Sequence, residues 1–490
     1  MMKKLKEHKK EIAIFLIVFV VALIMCSAFL RPHYTHDTYR IIYDGYEYYS
    51  YDKFLKESRP FTAILTLIAD KINLSIESYM IISLILALVF LSMSVVLIYK
   101  IFRKEYESNS KWTDILIIII SYLTVYNYLA IEYIYFLECC ILAFGVLLSI
   151  LAAKIVIDDE KYKYIKAFII IVIAAFCYQG SIAIFPMIVF TYELLFQKNS
   201  VKKNFAHLVK TTVIYGIAML LTILFAEIIM GGSRIRMDAA QISSTNIIYW
   251  LKELIVNSLG VILPYINIAI IILTCLFIMT FKKTDIKEKI LYTLKYLLVI
   301  LASIVICIAP IVVGSGLELT SRMCIAYGST IGISLFVALL IANKNQKNYQ
   351  VVIISIMTII IFILNFAVYV VLTYQHLEVN KIDKENCEKI KEVIEEYERE
   401  TGMNITKIAG IQRTNGSKYY TGFIHAGDIT ENALSSWAAR ETIAYYVGRH
   451  LKYAPITSEQ YQEFFAGKEW QEFSLEQAVI EGDVLYFCGN

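Results

Sequence analysis

Apolar runs of about 20 residues, the length that crosses a ~30 Å hydrocarbon core, recur along the chain between short polar stretches. They predict about eleven transmembrane helices, near 12–30, 78–100, 113–129, 133–156, 165–179, 181–197, 209–230, 254–280, 292–313, 323–342 and 350–374. Beyond 375 the pattern changes to helical periodicity over 387–399, a strand over 404–412, a helix over 433–449 and a last strand over 483–488. The pattern thus predicts an all-α polytopic membrane protein, residues 1–375, with a small C-terminal α/β domain, residues 376–490. In that tail the Glu/Lys run at 383–400 reads as a solvated helix face. Trp437, Tyr445, Tyr446, Phe464, Phe465 and Trp470 read as core in preference to a glycan platform.

Lysine and arginine placement orients the chain. Lys3, Lys4, Lys6, Lys9 and Lys10 precede the first span, and Arg103, Lys104, Lys111, Lys161, Lys163, Lys198, Lys202, Lys203, Lys282, Lys283, Lys287 and Lys289 fall in alternate loops. Basic loops stay cytoplasmic. The N-terminus is therefore expected inside, with the loops at 31–77, 231–253 and 314–322 and the tail from His376 outside. The 490 residues are 58% hydrophobic, and their net charge of +3 reflects these loop lysines, so nothing points to nucleic acid. The first span reads as an uncleaved anchor: it lacks an A-x-A site, and Met25 stands where lipidation of Cys26 would need a small residue. Seven of the nine cysteines sit in or at spans, no metal-ligand spacing exists, and no metal or cofactor is expected. Cys387 and Cys488 share the exported tail, which leaves a disulfide open.

The first outer loop carries the densest chemistry: His36, Asp37, Arg40, Asp44, Glu47 and Arg59, among a run of tyrosines. Ionisable groups are costly beside hydrocarbon, so such a cluster at the membrane face is a functional-site hypothesis. If 35–49 is helical, Asp37, Arg40 or Ile41, Asp44 and Tyr48 lie near one face at i, i+3 or i+4, i+7 and i+11. One face then carries both acid and base. This suits attack by a sugar hydroxyl on an anomeric carbon that bears a phosphate: the hydroxyl needs a carboxylate base, and the leaving phosphate needs cations rather than a strong acid. The plain alternative is an Asp37–Arg40 ion pair that only ties the loop together. Further polar groups are expected on the same side: Glu132 and Glu138 opening the fourth span, Tyr178-Gln179-Gly180 between the fifth and sixth, Arg234 and Arg236 after Gly231-Gly232, and Glu318 and Arg322 beside the tenth. Singly each reads as an anchor or an interhelical contact. Their gathering on one leaflet, without an internal repeat, favours a one-sided cleft over an alternating-access carrier.

These residues resemble the type II glucosyltransferases of O-antigen conversion and their Gram-positive relatives, in the C-type superfamily of lipid-phosphate-sugar glycosyltransferases. The family pattern looks like Asp-Asp-x-x-Arg after the first span, then Gly-Arg-Pro before the second. Here it reads His36-Asp37-Thr38-Tyr39-Arg40 and Ser58-Arg59-Pro60. The stretch from Tyr126 to Lys154 and the Tyr178-Gln179 pair are similar to family segments as well. The resemblance implies transfer of a hexose, commonly glucose, from undecaprenyl phosphate to a surface glycan outside a bacterial cytoplasmic membrane, without nucleotide sugar or obligate metal. It makes Asp37 the candidate base with Asp44 as second choice. His36, Arg40, Arg59, Glu132, Glu138, Tyr178, Gln179 and Arg322 become candidate substrate-binding residues. Two other functions fit the chain less well: a surface-polysaccharide polymerase or acyltransferase, the latter resting on His33 or His36, and a non-enzymatic transporter of lipid-linked glycan.

Overall fold

The computed structural model describes all residues except 1, 107–109, 198–200, 232–235, 238–243, 258–263, 316–318, 346–347, 413–423, 425, 427, 471 and 490. Arg234 and Glu318 therefore lie outside the described residues, as does the side chain of Arg236. In chain order the helices are α1 (Met2–Met25), α2 (His36–Asp44), the single turn α3 (Tyr46–Tyr49), α4 (Pro60–Lys71), α5 (Ile76–Lys104), α6 (Lys111–Val125), α7 (Cys139–Ile157), α8 (Lys163–Cys177), α9 (Ile184–Thr191) and α10 (Val201–Leu224). There follow β1 (Arg236–Met237), α11 (Ser244–Lys252), α12 (Pro264–Phe281), α13 (Ile286–Val313), β2 (Gly314–Ser315), α14 (Ile325–Gly328), α15 (Thr330–Asn345) and α16 (Asn348–Thr401). The tail adds β3 (Lys407–Gln412), α17 (Ala439–Val447), β4 (Lys452–Tyr453), α18 (Ser458–Phe464), β5 (Ala478–Glu481) and β6 (Val484–Gly489). The chain forms two compact units, one of residues 1–27, 51–65 and 82–370, the other of residues 28–50, 66–81 and 371–490.

The first unit is helical and apolar. Among the described residues, seven helical stretches are long and apolar enough to cross a bilayer, or eight if the pair Lys111–Val125 and Tyr128–Ile134, bent by 67°, counts as one span. The most enclosed stretch, Ser321–Asn345, has its apolar window entirely buried, whereas the helices over Lys203–Ile229 and Ile286–Ile311 leave half or more of theirs open. Those open faces carry Val213, Ile217, Leu294, Leu298 and Leu301, side chains suited to lipid. The buried stretch needs small residues at its contacts: a Cβ on Gly332 would meet Thr124 Oγ1 at 2.1 Å, and one on Gly328 would meet Asn127 Oδ1 at 1.9 Å.

The sharp bend after Val125 frees backbone groups in a fully buried stretch, where they need partners from the protein. Asn365 donates to the Tyr126 carbonyl at 2.7 Å, Tyr369 donates to the Asn127 carbonyl at 2.9 Å, and the Asn127 side chain accepts from Leu129 N at 3.2 Å. The bend corrects one expectation. Glu132 and Glu138 do not open a common helix: Glu132 lies in the 3-10 turn Tyr128–Ile134, and Glu138 is the residue before α7.

In the second unit a mixed sheet in the order β4-β3-β6-β5 has β3 parallel to β4 and β6, and β5 antiparallel to β6. Alternation along the strands builds two cores. Leu485, Phe487 and Ile408 pack with Cys387, Ile390 and Ile394 of α16 and Ile443 of α17, while Tyr486, Cys488 and Ala409 pack with Phe465 and Trp470. Cys387 and Cys488 thus belong to different cores and form no disulfide with each other. The helix predicted over 433–449 is a 3-10 turn at Ala433–Ser435 followed by α17. Within the charged run, Asp383 is buried and accepts from the backbone of Ala433 at 2.8 Å and the side chain of Asn432 at 3.0 Å, so that run is not solvated throughout. Of the six tail aromatics read as core, Trp437 is the exposed one, at 49%.

Candidate active site

The residues singled out from the sequence fall into two groups, one in each unit. In the first unit the π-turn Ser50–Leu55 leads into Glu57-Ser58-Arg59 and then α4, whose Pro60 suits a helix start because it lacks the N–H that a first turn leaves unpaired. The Arg59 backbone N–H returns to the Phe54 carbonyl at 2.8 Å, and Ser58 sits at φ 59°, in the left-handed region. This conformation costs a residue with a Cβ about 1–2 kcal/mol, which gives a physical reason for glycine in the resembled pattern. Ser58 holds it by donating its hydroxyl to the Thr222 carbonyl at 2.5 Å. Gln179 braces the same turn, its amide donating to the Glu57 carbonyl at 2.8 Å.

The turn aims Arg59 at Tyr178, with the guanidinium carbon 4.9 Å from the ring centroid. One terminal nitrogen meets Glu57 at 3.2 Å, while the buried Nε has no hydrogen-bond partner among the described residues. Tyr178 in turn meets Tyr133 edge-on at 6.1 Å, and the Tyr133 hydroxyl donates to the Arg322 carbonyl at 2.8 Å. Arg322 lies 4.5 Å over the Phe136 ring and bonds Glu132 through a terminal nitrogen at 2.9 Å. A Cβ on Gly180 would strike the Tyr178 ring at 2.6 Å, so this close approach needs glycine. Arg59, Glu132, Tyr178, Gln179 and Arg322 therefore form one connected cluster. Each arginine carries a carboxylate partner, an arrangement of paired cations rather than a bare positive patch. Glu138 is buried too and makes no capping bond to α7.

In the second unit Thr35 caps α2 through a capping box with Thr38, and the chain breaks at Gly45, φ 86°, so 35–49 is not one helix. Asp37, Arg40 and Asp44 nevertheless share α2. Asp37 stands in the first turn, where a negative charge suits the helix dipole, and accepts from the Tyr49 hydroxyl at 2.6 Å. Arg40 pairs with Asp44 one turn on, and with Glu441 of α17 at 3.0 Å, an alternative to the pairing with Asp37 that the sequence suggested. His36 is buried, its Nε2 lying 3.4 Å from the Glu431 carbonyl and its ring edge-on to Trp437 at 6.1 Å.

Sequence reasoning missed Glu57, Tyr49 and Glu441. Glu57 adjoins Ser58-Arg59 and was open to notice, but Glu441 meets Arg40 across 401 positions of sequence, for which a single chain carries no signal. Arg59 and Arg322 pair with carboxylates and lie against rings, positions from which a guanidinium can exchange its partner for a phosphate oxygen. Asp37 offers a carboxylate beside a phenol. No curated protein matches the chain. Residues 26–328 match the family described as glucosyl transferase GtrII, an interval that contains Asp37, Arg40, Arg59, Glu132, Tyr178 and Arg322 and stops before α15 and the whole tail. The match spans more than half of the sequence, and the chain belongs to the glucosyl transferase GtrII family.

Proposed function

We propose that this protein transfers glucose from a polyprenyl-phosphate donor, of the undecaprenyl type, to a glycan on the outer surface of a bacterial cytoplasmic membrane. The observation that carries the reading is Arg59: a guanidinium over Tyr178, held by a strained and braced turn, with a buried Nε left without a partner among the described residues. Orphaned donors are costly, and a phosphate oxygen is the kind of acceptor that would satisfy this one. In the reaction the acceptor hydroxyl oxygen bonds to the anomeric carbon as the bond from that carbon to the phosphate oxygen breaks. The polyprenyl phosphate leaves with the bonding electrons, and the hydroxyl proton passes to a carboxylate, for which Asp37 is the candidate. Arg59 and Arg322 stabilise the charge that grows on the phosphate.

With the odd span number that the apolar runs suggest, the lysine pattern supports an inner N-terminus and an outer tail, which would bring donor and acceptor chemistry to the outer face. The acyltransferase alternative loses support, because His33 and His36 are buried with ring nitrogens at backbone carbonyls. The reading predicts that deletion of the gene removes a glucose substituent from the surface glycan while the polymer backbone is still made. A glycan of unchanged composition would exclude this function, and loss of the polymer itself would favour a polymerase.

A further inference from the structure

On the second unit, four planar groups lie in succession. His450 stacks on Tyr43 at 4.1 Å and 20°, the Arg440 guanidinium lies 4.8 Å over Tyr43, and the same guanidinium lies 5.7 Å from the Tyr453 ring. The ends of this stack are open: His450 is exposed, and Tyr453, on the edge strand β4, is 64% exposed. Beneath it, Glu441 takes Arg40 at 3.0 Å and Arg440 at 2.6 Å, and Asp44 takes Arg40. Within this network two guanidinium and two carboxylate charges cancel. The network still has unused capacity. Glu441, 1% exposed at its side chain, keeps Oε2 without a partner among the described residues, as does Arg440 its Nε, and neither Arg40 Nη2 nor Arg440 Nη1 makes a hydrogen bond among those residues.

Aromatic faces beside charge-neutral, unsaturated hydrogen-bonding groups match one ligand chemistry well. A pyranose offers a face of C–H bonds to an aromatic ring and a rim of hydroxyls that both donate and accept. A membrane surface would ask for net positive charge, which the cancelled pairs do not supply. We infer that Tyr43, Arg440, His450 and Tyr453 form a carbohydrate-binding subsite that holds a sugar residue of the acceptor glycan. The inference rests on the glycosyl-transfer reading above and adds a role for the tail, whose α17 and β4 lie outside the family match. Tyr43 is six residues from Asp37 on α2, about 9 Å along the helix, so the subsite serves an acceptor of more than one sugar unit.

The test uses the full chain in detergent and, as probe, the surface polysaccharide isolated from cells that lack the gene. Removal of a stacking ring costs about tenfold in affinity. Tyr453→Ala and His450→Ala should therefore each weaken polysaccharide binding by about that factor and raise KM for the acceptor at unchanged kcat. Tyr453→Phe, which keeps the ring, and Lys384→Ala, on the exposed face of α16, should bind as wild type does. Equal binding by wild type and both alanine variants, or no binding by wild type, would overturn the subsite. Binding that depends on Tyr453 in a protein that transfers no glucose would keep the subsite and remove the transferase reading. Transfer at an unchanged acceptor KM in Tyr453→Ala and His450→Ala would do the reverse.

Discussion

A general base must offer a lone pair to the incoming hydroxyl, and the first loop holds two candidate aspartates. Asp37 accepts from the Tyr49 phenol, whereas Asp44 is engaged by the Arg40 guanidinium. Asp37→Asn keeps size and shape but cannot take a proton, so transfer should fall by at least ~10²-fold. Asp44→Asn leaves Arg40 its bond to Glu441 and should cost less than about tenfold, as expected when one of two carboxylate partners of a partly exposed arginine is lost. The two variants, assayed side by side for glucose transfer, decide the assignment, and the reverse order of losses would move the base to Asp44. Arg59→Lys separates a binding role from anchorage. A lysine keeps the charge but lacks the planar fork that both stacks on Tyr178 and presents parallel donors. Most transfer should be lost at normal expression; full transfer would reduce Arg59 to an interfacial anchor.

At the level of elements, the turn Glu57-Ser58-Arg59 sets where that guanidinium points. Ser58→Gly relieves the left-handed strain, at the loss of one hydrogen bond to Thr222 worth about 1 kcal/mol, so stability and activity should stay near wild type. Ser58→Val adds β-branching at positive φ and removes the hydroxyl, and the purified protein should melt earlier and transfer poorly. Equal melting temperatures and rates for the two variants would show that this turn does not position Arg59. The same scale shows what the sequence could and could not tell. The shared face of Asp37, Arg40 and Asp44 was legible because it needs only the helical period, while the break at Gly45 was not, because a single glycine does not announce its φ. Nothing between 348 and 401 interrupts α16: it holds neither proline nor glycine and ends at Gly402, φ 71°, whose N–H returns to the Glu398 carbonyl. The change from apolar to charged residues near 375 therefore falls within one helix and not at its end.

For the molecule as a whole, membrane character followed from apolar run lengths, and the family followed from short motifs around Asp37 and Arg59. Partners fixed by tertiary structure did not follow. Glu57 beside Arg59, Glu132 beside Arg322 and Glu441 beside Arg40 turn three apparent cations into paired ones, and only the folded chain brings the last two pairs together. That pairing sharpens the proposal: on it, Arg59 and Arg322 would exchange a carboxylate for the donor phosphate during turnover. The most direct measurement follows radiolabelled glucose in proteoliposomes of the purified full chain, supplied with polyprenyl-phosphate-glucose and the glycan from gene-deleted cells. Label should enter the glycan without any nucleotide sugar, as polyprenyl phosphate is released in equal amount. Label that stays on the lipid, or enters the glycan only when a nucleotide-glucose is added, would contradict the account.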